Sequence, residues 1–251
     1  MQKKAVVVGA TSGIGMEVAL CLAAKGWRVA IAGRRAERLE EVKRRAHGSI
    51  ACTEQLDVNA PDAAARLDGL IARLGGMDLY FHSSGIGWQN GLLDAGKELQ
   101  TVETNVVGFV RMVDAAYRWF ADRKHPGHIA CITSIAGTKG LGAAPAYSAS
   151  KRFQSHYLEC LAQQARMRRL PVRLTDIRPG FVKTDLIAGG GYPLQLDART
   201  VARHIVRSIE RRKEVVVVDW RYALLVALWR LLPRWIWVRM KIAAPKEKRS
   251  E

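Results

Sequence analysis

Residues 5–15 read AVVVGATSGIG, and this stretch decides the fold. Four small apolar residues predict a short buried strand, and the glycines after them let the backbone turn tightly. Apolar residues at helical spacing then run from Met16 to Lys25. A strand, a glycine-rich turn and a helix in this order predict the first unit of a layered α/β fold.

The same alternation continues along the chain. We predict strands at Ala5–Val8, Arg28–Ala32, Ala51–Leu56, Leu79–His82, His128–Thr133, Val172–Ile177 and Glu214–Val218. Helices are predicted at Met16–Lys25, Arg35–Ala46, Asp62–Leu74, Leu99–Phe120, Tyr147–Arg169 and Ala198–Arg211. Nearly all-apolar strands that alternate with helices predict a doubly wound parallel α/β sheet of about seven strands with helices on both faces. Such sheets bind ligands beyond the carboxyl ends of their strands.

Composition bounds the class of protein. The chain has 251 residues, of which 25% are charged and 49% hydrophobic, so disordered, collagen-like and low-complexity classes are excluded. The four cysteines are spread singly, without the paired spacing of a zinc site or a redox pair. The first apolar stretch ends at Val8, too short for a signal peptide. We therefore expect a cytoplasmic protein without a metal site.

The glycine-rich loop predicts a phosphate site. Free N–H groups at a helix N-terminus stabilise a pyrophosphate, and glycines let the backbone approach it closely. The binding candidates are Gly9, Thr11, Ser12, Gly13, Ile14 and Gly15. The alternative is a strand-to-helix turn that binds nothing. The position of the loop after the first strand favours a dinucleotide.

The end of the second strand bears on the choice of dinucleotide. An acidic residue there would bind the ribose hydroxyls of NAD, whereas an arginine suits the 2′-phosphate of NADP. Gly33 occupies the place of the acid and Arg34 follows it. We therefore predict NADP(H), bound through Arg34, and interpret Arg35 and Arg38 as the solvated start of a charged helix.

A candidate catalytic group follows the fifth strand. Ser134 ends that strand, and Tyr147 and Lys151 follow on a predicted helix at a spacing that places both on one face. A nearby ammonium lowers the pKa of a tyrosine, which can then exchange a proton with a substrate oxygen near neutral pH.

Taken together, these motifs resemble those of the short-chain dehydrogenase/reductase family, whose fold is of the Rossmann type. The resemblance covers about Lys3 to Val218 and adds Asp57, Val58, Asn105 and the run from Pro179 to Thr184. It implies that Tyr147 protonates a carbonyl oxygen during reduction and that Ser134 polarises the same oxygen. Lys151 would bind the nicotinamide ribose and lower the pKa of Tyr147, and Asn105 would hold a relay water.

The resemblance also implies further cofactor contacts. Asp57 would contact the adenine, and Val182 and Thr184 would hold the nicotinamide. The full set of implied contacts outside the glycine loop is Arg34, Asp57, Val58, Ser84, Gly85, Tyr147, Lys151, Pro179, Gly180, Val182 and Thr184. One departure stands out, because the family usually has Asn-Asn-Ala-Gly where this chain has His82, Ser83, Ser84 and Gly85. We interpret His82 as a structural hydrogen-bonding residue rather than a base.

The last part of the chain departs from the family. We divide the chain into a reductase domain at residues 1–218, with a glycine-rich substrate lid at 185–197, and an arm at 219–251. The net charge is +17, and residues 199–251 carry 14 Lys/Arg, 5 Asp/Glu and four of the seven Trp. Residues 220–242 contain too many charged residues to span a bilayer. They suit an amphipathic helix that Pro233 breaks into two.

The arm has three interpretations that the sequence leaves open. It lies in a bilayer interface, packs on its own domain, or packs on a second subunit, and a wall of a hydrophobic substrate pocket is compatible with each. Residues 245–251 are predicted to be disordered.

The leading hypothesis is an NADPH-dependent carbonyl reductase, or the reverse alcohol dehydrogenase, that acts on a hydrophobic small molecule as a homodimer or homotetramer. The alternative is a non-catalytic NADP-binding or membrane-associated scaffold with the same fold. The positive charge is compatible with nucleic acid, but no nucleic-acid motif is present, so we expect no such partner.

Overall fold

The computed structural model describes residues 2–187, 192 and 194–242. The strands within these residues are β1 (Lys4–Val8), β2 (Arg28–Gly33), β3 (Ile50–Gln55), β4 (Leu79–His82), β5 (Gly127–Ile132), β6 (Val172–Arg178) and β7 (Val215–Val217). They form one parallel sheet in the order β3-β2-β1-β4-β5-β6-β7. The predicted doubly wound sheet is confirmed, and each predicted strand end lies within one residue of the observed one.

The helices cover both faces of this sheet. Those in the described residues are α1 (Gly13–Ala24), α2 (Ala36–Arg45), α3 (Ala63–Leu74), α4 (Ala95–Val102), α5 (Phe109–Arg123), α6 (Pro145–Met167), α7 (Ala198–Glu210), α8 (Trp220–Leu231) and α9 (Arg234–Trp237). The prediction of one continuous helix over Leu99–Phe120 is wrong. A π-turn at Glu103–Gly108 separates α4 from α5, and such turns are frequent at functional sites.

Two apolar layers hold the helices on the sheet. Alternate residues of a strand point to opposite faces, so Val6 and Val8 pack against α3, α5 and α6, whereas Ala5 and Val7 pack against α1, α2 and α7. These four β1 residues are fully buried, whereas Lys4 at the start of the strand is partly exposed. The first strand thus lies at the centre of the core, and the loop after it begins at the point where the strand order reverses between β1 and β4.

The arm contains two helices, as the break predicted at Pro233 requires. α8 ends at Leu231 and α9 begins at Arg234. The side chains of Tyr222 and Val226 are buried in a small cluster with Ile135 of the main domain. No helix in the described part of the chain is long and apolar enough to cross a bilayer. The stretch at residues 245–251 lies outside the described residues.

Candidate active site

The glycine loop lies directly above the carboxyl end of β1. Gly9 and Gly13 have φ values of +85° and +56°, a region that favours glycine. A Cβ on Gly9 would lie 2.5 Å from the backbone N of Ser84, so only glycine lets these two loops pack together. Since α1 begins at Gly13, the N-terminus of the helix faces the space above the loop, where a phosphate would be held.

The three arginines that follow β2 lie in different surroundings. The side chain of Arg35 crosses the glycine loop, where its Nη2 donates to Ser12 Oγ at 2.8 Å and Thr11 Oγ1 at 3.0 Å. Arg35 is the N-cap residue of α2 and its side chain is half exposed, as a solvated helix start requires, but it also contacts the glycine loop. Arg38, by contrast, forms an exposed pair with Glu41, as predicted. Arg34 is exposed beside Gly33.

The loop after β4 lies between the glycine loop and the catalytic group. A Cβ on Gly85 would lie 3.4 Å from Lys151 Nζ and 3.3 Å from Asn105 Oδ1, so the absence of a side chain at Gly85 leaves open the space beside the lysine. Gly85 thus lies beside Lys151 and Asn105, and the cofactor contacts of Ser84 and Gly85 stay predictions.

His82 is a buried neutral group. Its side chain is fully buried, with Nδ1 2.9 Å from the hydroxyl of Tyr80 and its ring edge-on to Phe109. Burial, assisted by the charge of Lys151, lowers the pKa of His82 to about 3. The geometry agrees with a structural role and not with a base.

The predicted catalytic residues meet at the carboxyl ends of β4 and β5. Ser134 follows β5, and its hydroxyl lies close enough to Tyr147, in the first turns of α6, to lower the pKa of that tyrosine. The Nζ of Lys151 lies 5.8 Å from the centroid of the Tyr147 ring. Gly87 makes room for this ring, because a Cβ on Gly87 would overlap it. Sequence analysis did not single out Gly87.

The pKa of Tyr147 departs from expectation. Burial raises this pKa, although the hydrogen bond with Ser134 acts in the opposite direction. Lys151 donates to Ile132 O at 3.1 Å and to Gln154 Oε1 at 2.9 Å. Burial thus outweighs any lowering of the Tyr147 pKa by Lys151, whose ammonium lies 5.8 Å from the centroid of the tyrosine ring. Tyr147 holds its proton at neutral pH, as an acid must.

Burial also acts on Lys151. It lowers the pKa of the lysine to about 8, against the opposing influence of Cys131 and Asp176. Asp176 is a buried carboxylate on β6 that accepts hydrogen bonds from Thr133 Oγ1 and Arg178 Nε. Lys151 thus remains mostly charged at pH 7 but loses its charge within the range in which enzymes are commonly assayed.

Asn105 lies at the centre of the π-turn. Its amide side chain donates to Ile86 O at 2.7 Å and accepts from Ile86 N at 2.9 Å, which fixes the loop after β4. Its main-chain oxygen accepts from Gln154 Nε2 at 2.8 Å. The amide of Gln154 thus joins this oxygen to Lys151, and the relay water at Asn105 stays a prediction.

Gln154 is the main site residue that sequence analysis missed. It is fully buried and lies one turn after Lys151 on α6. The available signal was a polar residue on the buried face of an amphipathic helix, three positions from a candidate catalytic lysine. Such a residue must find hydrogen-bond partners inside the protein.

The remaining predicted contacts follow β3 and β6, at the carboxyl edge of the sheet. Thr184 lies against Gly13, since a Cβ there would be 3.0 Å from Thr184 Cγ2. Asp57 and Val58 follow β3, where Asp57 Oδ1 accepts from Asn59 N. Pro179 O accepts from Ile135 N at 3.1 Å, so the run after β6 is attached to the segment that carries Ser134.

Only part of the predicted lid is described. Residues 188–191 and 193, which include the three glycines, lie outside the described residues. Tyr192 stacks on Phe181 with ring centroids 4.5 Å apart, and its hydroxyl accepts from Gln89 Nε2 at 2.7 Å. The bridge between Val182 and Leu196 joins the two ends of this segment.

The arm packs against the loops that carry the site. Trp229 Nε1 donates to Thr138 Oγ1 at 2.8 Å and Trp237 Nε1 donates to Gly140 O at 2.6 Å. Gly180 lies flat on the ring of Tyr222, where a Cβ would overlap the ring. Of the three interpretations of the arm, packing on its own domain is therefore observed for its inner face.

The comparison with known proteins decides the family. A family model described as short chain dehydrogenase matches residues 3–189. The chain belongs to the short-chain dehydrogenase family. An uncharacterized oxidoreductase of Myxococcus xanthus (strain DK1622) is 34% identical to this short-chain dehydrogenase over 238 residues, which is 92% of this chain and 93% of the relative.

Solved structures share the fold of this short-chain dehydrogenase. A family member from Burkholderia phymatum in complex with NAD superposes with a TM-score of 0.81 at 22% identity, over 90% of this chain and 92% of the other. An alcohol dehydrogenase from the archaeon Thermococcus sibiricus complexed with 5-hydroxy-NADP gives 0.78 at 22% identity, over 88% and 98%. The resemblance stated from sequence motifs is confirmed, and this short-chain dehydrogenase is an oxidoreductase by family.

Proposed function

We propose that the protein is an NADPH-dependent carbonyl reductase that acts on hydrophobic ketones or aldehydes, and in reverse on secondary alcohols. The observation that supports it most is the grouping of Ser134, a protonated Tyr147 and Lys151, whose Nζ lies 5.8 Å from the centroid of the tyrosine ring. These groups face the loop that ends at Gly85 and the cleft above the glycine loop. An acid, a polarising hydroxyl and a cation are thus arranged around one small space.

The residues of the chain account for the proton. When bound, the reduced nicotinamide supplies a hydride to the carbonyl carbon. Tyr147 donates its hydroxyl proton to the carbonyl oxygen, while Ser134 donates a hydrogen bond to the same oxygen. The charged Lys151 stabilises the tyrosinate that forms, and the tyrosinate then recovers a proton from solvent. In the oxidation direction the tyrosinate accepts the proton of the alcohol.

The substrate class follows from the surroundings of this space. Phe181 and Tyr192 stack at its edge, and Tyr222 of the arm packs behind Gly180. Aromatic walls favour an apolar substrate. We place the enzyme in the cytoplasm, as a homodimer or homotetramer. The exposed Leu99, Val102 and Phe153 on the paired helices α4 and α6 support self-association.

The preference for NADPH is supported by the two arginines at the end of β2. No acidic side chain stands at Gly33, Arg34 after it is exposed, and Arg35 contacts the glycine loop through Ser12. A phosphate held there would replace the bonds that Arg35 makes to Thr11 and Ser12 with charge-assisted bonds. The structural neighbours include both an NAD complex and a 5-hydroxy-NADP complex, so the cofactor must be measured.

The experiment measures consumption of NADPH and NADH over a panel of lipid, steroid, sugar and acyl ketones. We expect turnover with NADPH on apolar members. Arg34→Ala and Arg35→Ala should each weaken NADPH binding about tenfold or more and leave NADH binding within about twofold, because a charge-assisted bond is worth ~1.5–3 kcal/mol. Arg38→Ala is the matched control and should change neither. Equal losses for both cofactors would remove the NADPH assignment, and no turnover with either would favour a non-catalytic protein.

A further inference from the structure

Helix α8 is apolar on two opposite faces. Tyr222, Val226 and Trp229 pack inward against the main domain. At 100° per residue, Trp220, Leu224, Leu228 and Leu231 lie on the opposite face, and these four side chains are between 53% and 79% exposed. A helix in water usually carries polar residues on its outer face. The outer face of α8 therefore lacks the composition of a solvent-facing surface.

The apolar surface continues beyond α8. The residues after Pro233 add exposed side chains at Trp235, Val238, Met240 and Ile242, which are between 45% and 63% exposed. We call these residues and the four outer residues of α8 the outer arm surface. Exposed large apolar groups scattered singly are normal, but a contiguous patch that includes two tryptophans marks a site of interaction.

The charged residues within 220–242 are all basic. Residues 220–242 contain no Asp or Glu. Arg230, Arg234, Arg239 and Lys241 are exposed along the arm. The remaining arginine of the arm, Arg221, pairs with Asp219, which precedes α8. The outer arm surface is thus apolar in the middle and cationic at its edges.

We propose that the outer arm surface docks on the surface of a bilayer that contains anionic phospholipid. Tryptophan and leucine fit the boundary between headgroups and acyl chains, and arginine stems extend to lipid phosphates. A symmetric contact with a second copy would place arginines opposite arginines, with no acid within residues 220–242 to neutralise them. Anionic headgroups supply the missing negative charge.

Docking in this way brings the membrane close to the active site. The inner face of the arm is bonded to Thr138 and Gly140, in the loop between Ser134 and Tyr147. Lys139 Nζ also donates to Leu232 O at 2.7 Å. If the proposed function holds, an apolar carbonyl compound dissolved in the bilayer would reach the site from the same side. The docking itself does not depend on the enzymatic activity.

The test is flotation of the full chain with vesicles of two compositions. One is phosphatidylcholine alone and the other an equal mixture of phosphatidylcholine and phosphatidylglycerol. We expect the protein to float with the mixed vesicles, to float far less with phosphatidylcholine alone, and to dissociate as salt is added. Absence of binding to the mixed vesicles at low salt would overturn the proposal.

Variants locate the contact. Leu228→Ser with Trp235→Ser should lower the partition coefficient by at least about tenfold, because both apolar contacts are lost. Arg230→Gln with Arg234→Gln should lower it about thirtyfold, at about five- to sixfold per charge. The matched controls are Met167→Ser and Arg44→Gln, which change exposed residues on α6 and α2 and should bind as the parent does.

Two further readouts separate the outcomes. The tryptophan emission of the whole protein, to which Trp220 and Trp235 contribute, should shift to shorter wavelength on mixed vesicles. This measurement needs no substitution. NADPH consumption on a water-soluble carbonyl should be the same in the parent and the Leu228→Ser/Trp235→Ser variant, so failure of docking and failure of the proposed activity are distinguishable. If that variant converts a dimer into a monomer and vesicle binding is unchanged, the surface is a subunit contact and the proposal is wrong.

Discussion

At the scale of the residue, the site contains ionisable groups whose pKa values are shifted by burial. Burial raises the pKa of Tyr147 and lowers that of Lys151 to about 8. Burial lowers the pKa of His82 to about 3 and keeps this residue neutral. Because these pKa values differ between the folded and the unfolded protein, the free energy of unfolding depends on pH.

His82 makes this pH dependence of the free energy of unfolding measurable. Its pKa is about 3 in the folded protein, and about 6.5 unfolded, so the unfolded chain binds more protons between these values. The free energy of unfolding therefore falls as pH falls from 6.5. In His82→Asn, the loss between pH 6.5 and pH 4 should be smaller by about 2–3 kcal/mol, measured by urea unfolding, even if the substitution costs ~1–2 kcal/mol at pH 7.

His156→Asn is the matched control, since His156 is exposed on α6, and it should keep the acid sensitivity of the parent. His128, whose pKa burial lowers to about 4, is present in all three proteins and cancels from the comparison. Equal acid sensitivity in the parent and His82→Asn would show that His82 is not held neutral by the fold.

At the scale of the element, the site is a contact between the π-turn and helix α6. The π-turn directs the main-chain oxygen of Asn105 toward α6, where Gln154 joins it to Lys151. An amide does not pass on protons as a water does, so Gln154 here acts as a positioning residue. It holds the ammonium in place and stabilises its charged form.

Substitution of Gln154 should therefore move the pH profile in two directions. Gln154→Met removes an acceptor of the Lys151 ammonium, so the alkaline fall of kcat/KM should move to lower pH by about one unit. Gln154→Glu adds a carboxylate and should move the fall to higher pH. Gln163→Met, an exposed position on the same helix, should leave the profile unchanged. Profiles that do not move, with kcat lowered equally in both variants, would reduce Gln154 to a packing role.

At the scale of the whole molecule, much of the fold could be predicted because its signals are local. A strand such as β1 is an apolar run followed by glycine. Positions that only glycine can occupy, such as Gly9, are visible in the sequence. The order of motifs then fixed which strand ends carry Ser134, Tyr147 and Lys151, and the structure brings these residues together.

The parts that could not be predicted depend on contacts between distant elements. The π-turn interrupts a stretch whose apolar spacing is helical throughout, because the bonds of Asn105 to Ile86 and Gln154 come from other parts of the chain. The reach of Arg35 over Ser12 and the engagement of Lys151 by Gln154 are also long-range. For the arm, composition indicated an amphipathic segment, but only packing shows which face is turned outward.

The central claim is that Tyr147 supplies the proton for carbonyl reduction. The most direct measurement is the rate of NADPH oxidation by the full chain on the best carbonyl of the panel, with parent and Tyr147→Phe compared at equal cofactor occupancy. We predict that kcat falls by about 10²–10⁴-fold, while the Kd for NADPH stays within about threefold, since phenylalanine keeps the ring against Gly87. A Tyr147→Phe protein that reduces the carbonyl as fast as the parent would contradict the account.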